Sequence, residues 1–141
     1  MISIGIRITA KELRYAIIDL KKRIMLNKED HCVKFPKNID DAEKFQWLYK
    51  EIEEIVKQYP INKVVICENN YGRDSKALRL SNRLDAIVVL AFANNCIPTT
   101  IKSLNLKEED MLVTAEKHVG KTDKYWNKMI ASCIIVAIGD K

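Results

Sequence analysis

Isoleucine alternates with small or polar residues at the start of the chain. From Ile2 to Ile8 every second residue is isoleucine, which is the period of a β-strand with one buried face. A second apolar stretch, residues 13–20, predicts another strand, and the short break between the two fits a hairpin. Residues 22–26 predict a third, weaker strand, which begins with polar residues and is therefore expected at an edge of the sheet.

The period changes after an irregular stretch that ends at Asn38. Asp40 begins a segment in which apolar residues recur at spacings of three and four, which predicts an α-helix that ends before Pro60. Residues 63–68 then form an apolar run without alternation. Such a run predicts a strand buried on both faces, as in a parallel sheet.

Three more elements are expected along the rest of the chain. They are a second long helix from Ser75 to Asn94, a short strand from Pro98 to Lys102 and, after a charged stretch, a last helix that Thr122 can cap. Three strands followed by alternating helices and strands predict an α/β fold, in which helices pack on a mixed five-stranded sheet. The length of 141 residues fits one domain over residues 1–141.

Composition narrows the classes of function. The net charge of +5 favours a polyanion such as DNA or RNA as a partner. Apolar runs stay well short of the roughly 18–20 residues that cross a bilayer, and the N-terminus is a strand pattern and not a signal peptide, so we expect a cytoplasmic protein. The four cysteines are far apart in the sequence, whereas zinc ligands come in pairs about two to four residues apart. We therefore expect free thiols, buried as small apolar groups, and no metal or cofactor.

Several stretches resemble the RuvC-type Holliday-junction resolvases. Residues 4–7 (Ile-Gly-Ile-Arg) are similar to the first strand of that family, which ends Gly-Ile-Asp, and residues 65–68 (Val-Ile-Cys-Glu) to its central strand, which ends in a catalytic Glu. Residues 75–83 resemble the helix that follows, and residues 134–138 the apolar end of the last helix. The resemblance implies an RNase H-like fold over nearly the whole chain.

The resemblance also implies that most of the catalytic acids are missing. In this family carboxylates hold two divalent metal ions that activate water and stabilise the leaving oxygen. Arg7 stands where the first-strand Asp would be, and the acids of the last helix fall at Met129 and Ser132. Only Glu68 keeps a ligand position. The implied protein is a catalytically inactive relative, in which a pair between Arg7 and Glu68 would replace the metal bridge.

Two other acids leave a rebuilt metal site open as an alternative. Asp19, at the end of the second strand, and Asp123, at the start of the last helix, could join Glu68. The ordinary role of Asp19 is at a solvated strand end, and that of Asp123 is to stabilise the helix N-terminus through the helix dipole. A divergent metal-dependent nuclease is thus the least favoured interpretation.

Candidate nucleic-acid contacts follow Glu68 and precede the last helix. An aromatic residue in the loop after Glu68 can stack on a base, and basic residues at helical spacing can follow phosphates along one helix face. The alternatives are a surface tyrosine and an ordinary solvated face. The acidic run 108–110 lies nearby and could cancel the field. The six candidate contacts are Tyr71, Arg73, Lys76, Arg79, Lys117 and Lys121.

Two classes of function are favoured over an active nuclease. The first is a nucleic-acid-binding module for DNA or RNA in branched or single-stranded form. The second is a structural or interaction protein that uses the fold as a scaffold, since fold does not fix function. Residues 75–94 carry apolar side chains on more than one face of their helix, so we expect a homodimer through this helix.

Overall fold

A mixed sheet carries the structure. The computed structural model describes residues 2–27, 32–67, 75–102, 107–121 and 127–139. The strands in this part of the chain are β1 (Ile2–Ile8), β2 (Glu12–Asp19), β3 (Ile24–Met25), β4 (Cys32–Lys34), β5 (Lys63–Cys67) and β6 (Thr99–Lys102). They are arranged in the order β3-β2-β1-β5-β6, and β4 pairs with β2. β1 and β2 form an antiparallel hairpin, whereas β5 runs parallel to β1 and β6 parallel to β5.

Helices cover both faces of this sheet. They are α1 (Asp41–Gln58), α2 (Lys76–Asn94), α3 (Glu108–Val119) and α4 (Asn127–Gly139). The side chain of Asp40 accepts a hydrogen bond from the Glu43 amide at 2.8 Å, and Ser75 Oγ accepts one from the Leu78 amide at 3.1 Å. These N-caps start α1 and α2 where the sequence predicts. No helix in the described ranges is long and apolar enough to cross a membrane.

The strand alternation divides the interior into two cores. Ile4 and Ile6 of β1 lie in a core with residues of α1 and α2, such as Ile52 and Phe92. On the opposite face, the second core joins Ala16, Ile18, Val65 and Cys67 to α4 residues Ile130, Cys133 and Ile134. β5 is therefore buried on both sides, as its continuous apolar sequence predicts. β1 is also buried on both sides over residues 3–6, although its alternation predicts a single buried face.

Two elements differ from the sequence expectation. β4 has no counterpart among the predicted strands, and it pairs with β2 through Glu12↔Lys34 and Arg14↔Cys32. α3 lies where the sequence predicts only a charged stretch. The sequence does not predict this helix because Ala115 is the one buried residue among its described side chains and Lys107 makes no side-chain capping hydrogen bond. The thiols also differ: all four are free, but Cys96 is exposed and Cys32 is half-buried.

Gly5 lets α4 lie directly on the sheet. A Cβ atom at this position would come 2.6 Å from the main-chain oxygen of Met129 and 2.8 Å from Cys133 Sγ. Both distances are too short for ordinary packing, and the first involves backbone that cannot rotate away. β1 therefore needs glycine at position 5 for α4 to sit at this height above the sheet.

Gly5→Ala should destabilise the fold by about 1–3 kcal/mol, because an added methyl forces backbone apart in a packed interior. The measurement is the free energy of unfolding from urea titration. Cys133→Ala, combined with Gly5→Ala, should recover part of the loss, since it removes the sulfur but leaves the Met129 oxygen in place. A Gly5→Ala protein as stable as the wild type would contradict this packing.

Candidate nucleic-acid interface

The candidate site lies where β1 and β5 end side by side. Ile6 pairs with Ile66 in the parallel register, so Arg7 lies next to the end of β5, just before Glu68. Open α/β sheets bind ligands at the carboxyl ends of their strands. Glu68 itself, like Tyr71, Arg73 and Asp123, lies outside the residues that the structure describes.

α4 places the other two catalytic positions of the resembled family at the same end of the sheet. Met129 lies with its main-chain oxygen against Gly5, which is two residues from Arg7 on the same face of β1. Ser132 Oγ accepts a hydrogen bond of 3.3 Å from Cys67 Sγ, at the end of β5. Both α4 side chains are buried.

These residues do not fit the pair of divalent metal ions that the RuvC-type family uses. Such ions require hard oxygen ligands, mainly carboxylates. Arg7 is a cation, Met129 offers a thioether, and the Ser132 hydroxyl contacts the Cys67 thiol. Within the described ranges, no group of three or more His, Cys, Asp or Glu side chains could hold a metal ion.

Asp19 does not rebuild that site. It pairs with Ile2 at the beginning of β1, and the length of an extended strand puts it roughly 17 Å from Arg7. Its Oδ1 accepts hydrogen bonds from the main-chain amides of Lys21 and Lys22, at 3.0 and 3.2 Å. Asp19 therefore stabilises the turn after β2, close to the role that its sequence position suggests.

Charged side chains extend from Arg7 across the neighbouring strands. Arg7 is directly opposite Arg14 in the β1–β2 register, and Arg14 is opposite Cys32 of β4. Arg14 Nε donates to Glu12 Oε1 at 2.7 Å, and Cys32 Sγ donates to Glu12 Oε2 at 2.9 Å. Lys34 lies opposite Glu12. Because opposite residues share a face of the sheet, all five project to the α4 side.

Glu12 is held as a carboxylate by these neighbours. The Cys32 thiol, and then Arg14, hold the pKa of Glu12 below its usual value, against an opposing effect of burial. Burial first, and then the contact with Glu12, raise the pKa of Cys32. The thiol therefore stays protonated at neutral pH and keeps donating. By contrast, the Nε atom of Arg7 is buried and has no hydrogen-bond partner among the described residues.

A second basic feature lies at the start of α2. Lys76, Arg79 and Arg83 line a groove of about 300 Å³ together with Asp41 and Leu80. The three cations share one side of the helix, as their spacing predicts. The first turn of α2 has no acidic residue, so the helix N-terminus adds to the positive potential there.

The four described residues of the predicted six-residue surface come from two faces of the sheet. Lys76 and Arg79 belong to α2, which packs in the core shared with α1. Lys117 lies in the last turn of α3 and Lys121 just beyond it; α3 packs on α4 and contacts β3. All four side chains are exposed. They are accessible to a ligand, but the two pairs come from opposite layers.

The sequence does not predict which residues lie next to Arg14. It puts Glu12 in the hairpin break, and it leaves Cys32 and Lys34 in a stretch without a predicted element. The usable signal is the hairpin itself: once β1 and β2 pair across a short turn, Arg7 and Arg14 come opposite one another. The contribution of β4 has no such signal, because a three-residue strand carries too little periodicity.

Glu12 should make the fold sensitive to acid. A carboxylate with a lowered pKa contributes stability that is complete above its ordinary value of 4.5 and is lost as pH falls through the lower, folded-state value. Between pH 7 and pH 3, wild type should therefore lose more unfolding free energy than Glu12→Gln, as measured by urea titration.

Glu51→Gln is the matched control for this experiment. Burial, and then Glu54, raise the pKa of Glu51, so its ionisation opposes folding at neutral pH and this substitution should stabilise the protein at pH 7. An equal pH dependence for wild type and Glu12→Gln would show that the Glu12 contacts contribute nothing.

Comparison with known proteins agrees with this geometry at the level of the fold. By sequence, the chain matches no protein-family profile and no curated protein. By structure, it is similar to RuvC of Thermus thermophilus, with a TM-score of 0.82 at 12% identity over 99% of this chain and 95% of that one.

Two further solved structures are similar along almost their whole length. T. thermophilus RuvC in complex with a Holliday junction substrate has a TM-score of 0.79 at 13% identity, covering 99% of this chain and 95% of that one. The fowlpox virus Holliday junction resolvase has a TM-score of 0.55 at 13% identity, covering 99% and 97%. The RNase H-like arrangement expected from the sequence is thus confirmed: the chain has a RuvC-like fold.

Proposed function

We propose that this chain binds nucleic acid, in branched or single-stranded form, and does not cleave it. The observation that carries the proposal is Arg7. A guanidinium stands at the end of β1, where a resolvase of the resembled type needs a metal-binding carboxylate. A cation at this point repels divalent metal ions and attracts phosphate.

The fold and the charge support nucleic acid as the partner. A protein with the same fold, T. thermophilus RuvC, has been solved in complex with a Holliday junction. This chain carries a net charge of +5 and places Lys76, Arg79 and Arg83 around one groove at the start of α2. Three cations against the single acid Asp41 leave this groove with an excess of positive charge, which attracts phosphates.

The donor set supports the loss of cleavage. Two-metal hydrolysis depends on carboxylates that hold the ions on both sides of the scissile phosphate. Position 7 is a cation, and positions 129 and 132 are a buried thioether and a buried hydroxyl. Glu68, and Asp123 before α4, would be left to hold metal against the repulsion of Arg7.

The test is to measure binding and cleavage on the same substrates. Four-way junction, duplex and single-stranded DNA and RNA are titrated with protein over a series of salt concentrations, and then incubated in Mg²⁺ and in Mn²⁺. We expect binding whose logarithm falls linearly with log salt, and intact strands afterwards. Cleavage that disappears in Glu68→Ala would contradict the proposal, and so would the absence of binding at low salt.

Matched variants assign the binding to the α2 groove. Lys76→Gln with Arg79→Gln should reduce the salt slope by roughly 0.7 to 0.9 for each phosphate that the variant no longer neutralises. The control is Lys21→Gln with Lys22→Gln, which removes the same charge from exposed positions in the turn after β2. Tyr71→Ala should weaken single-stranded and branched substrates more than duplex, because only unpaired bases can stack on the ring.

A homodimeric scaffold is the second candidate. A groove of about 410 Å³ between α1 and α2 is lined by Phe45, Tyr49 and Ile87, and Leu90 is 50% exposed on the same helix pair. Other apolar residues of α2, such as Leu80 and Leu84, are buried in the protein's own core. The apolar surface left for a partner is therefore smaller than the sequence indicates.

Light scattering at micromolar concentration tests the dimer. A dimeric mass that becomes monomeric in Leu90→Lys would support an interface on α2, since a lysine there places a charge in the buried patch. Val113→Lys, at an exposed apolar position of α3 in the other helix layer, controls for charge alone. A monomeric wild type would exclude the interface.

A further inference from the structure

Among the described strands, three cations and one carboxylate lie at the end of β1. Arg7, Arg14 and Lys34 project to one face of the sheet, and Glu12 is the acid that the described strands place among them. Like charges directly opposite one another in a sheet repel. An arrangement of this kind is favourable when an anion joins it.

Glu12 is already engaged by its other neighbours. Its Oε1 accepts from Arg14 Nε and its Oε2 from Cys32 Sγ. Cys32, Arg14 and Lys34, which belong to β2 and β4, all act to lower the pKa of Glu12. The hydrogen bonds of the Glu12 carboxylate therefore go to residues of β2 and β4, and none of them goes to Arg7.

Arg7 combines a buried atom with an accessible side chain. Its Nε is buried without a hydrogen-bond partner among the described residues, yet the side chain as a whole is partly exposed. A buried donor with no partner is unfavourable in a finished fold. The same side chain, partly exposed at a strand end, can reach a ligand with several acceptor oxygens.

Arg7 also cannot act as a ligand for the metal ions of a RuvC-type mechanism. In a RuvC-type site, metal ions held by carboxylates make the positive contact to the phosphate. Here the charge is supplied by a covalently attached guanidinium, whose planar donors match phosphate oxygens in pairs. The same location thus keeps an attraction for phosphate but has no metal ligand at position 7.

We propose that Arg7 binds a backbone phosphodiester of the nucleic acid in place of the metal ions. The inference rests on the proposed function and adds a specific contact to it. The substrate's phosphate lies at the carboxyl end of β1, and binding needs no divalent cation. The cluster of Glu12, Arg14, Cys32 and Lys34 supports β2 beside this contact.

Arg7→Gln tests the contact in binding titrations carried out in EDTA with a four-way junction. We expect the affinity to fall roughly tenfold, because a hydrogen-bonded charge is removed, and the salt slope to fall by about 0.7 to 0.9. Arg23→Gln is the control, since it removes an exposed arginine from the turn beyond the other end of β1. The thermal midpoint of Arg7→Gln should stay within a few degrees of wild type.

The alternative role of Arg7, an internal pair with Glu68, gives a different result. Arg7→Gln would then lower the thermal midpoint strongly and leave the salt slope unchanged, which would overturn the inference. Wild-type-like binding by Arg7→Gln would also overturn it, while leaving the proposed function intact. A wild-type protein that binds no nucleic acid would overturn the proposed function, and the inference with it.

A measurement on wild-type protein covers the case in which Arg7→Gln does not fold. The buried Nε–H of Arg7 should exchange slowly and give a signal in ¹H–¹⁵N spectra, which its disappearance in Arg7→Lys identifies. Adding the junction in EDTA should shift this signal, whereas the Nε–H of Arg23 should stay in place. An unmoved Arg7 signal in the bound protein would contradict the phosphate contact.

Discussion

The close approach of α4 to Gly5 is the constraint on which the rest of the structure depends. The main-chain oxygen of Met129 occupies the space where any other residue would put a Cβ atom. This contact sets how deeply α4 lies against β1 and β5, and so brings Ser132 within hydrogen-bond distance of Cys67. The second core and the candidate site are both built around that contact.

The chemistry of the site depends on the residues at the positions that the resemblance assigns to catalytic acids. Because Gly5 lets α4 lie close to β1, the side chains at positions 129 and 132 are buried. Met129 packs in the second core, and the Ser132 hydroxyl accepts a hydrogen bond from the Cys67 thiol. Arg7 then faces no metal ligand from these two positions of α4. Its guanidinium is the group at the end of β1 that can contact phosphate, and this is the chemistry on which the proposed binding without cleavage rests.

Much of the fold could be predicted because most elements carry strong local signals. α1 and α2 begin after Asp40 and Ser75, where the sequence predicts their starts. The apolar alternation of β1 correctly predicts a strand, although residues 3–6 are buried on both faces. α3 escapes prediction because helices are recognised chiefly by a buried stripe, and among its described side chains Ala115 alone is buried. Its other signals are present: acids in its first turn, Lys117 in its last, and Gly120 with a φ of 81° at its end.

The candidate site could be predicted only in part, for a related reason. Arg7 is visible from the resemblance of residues 4–7 to a catalytic strand. The contacts around Glu12 are not, because they depend on pairing between β2 and the very short β4. Pairing between segments far apart in sequence is decided by tertiary packing, which local patterns do not contain.

The most direct test of a metal-independent phosphate site is the affinity for a four-way junction in EDTA and in Mg²⁺ at equal ionic strength, with the DNA recovered and examined after each titration. A site built on a guanidinium predicts binding in EDTA that is at least as tight as in Mg²⁺, because Mg²⁺ competes for the phosphates, and uncut strands in both conditions. Binding that requires Mg²⁺, or strands cut in its presence by wild type but not by Glu68→Ala, would contradict the account.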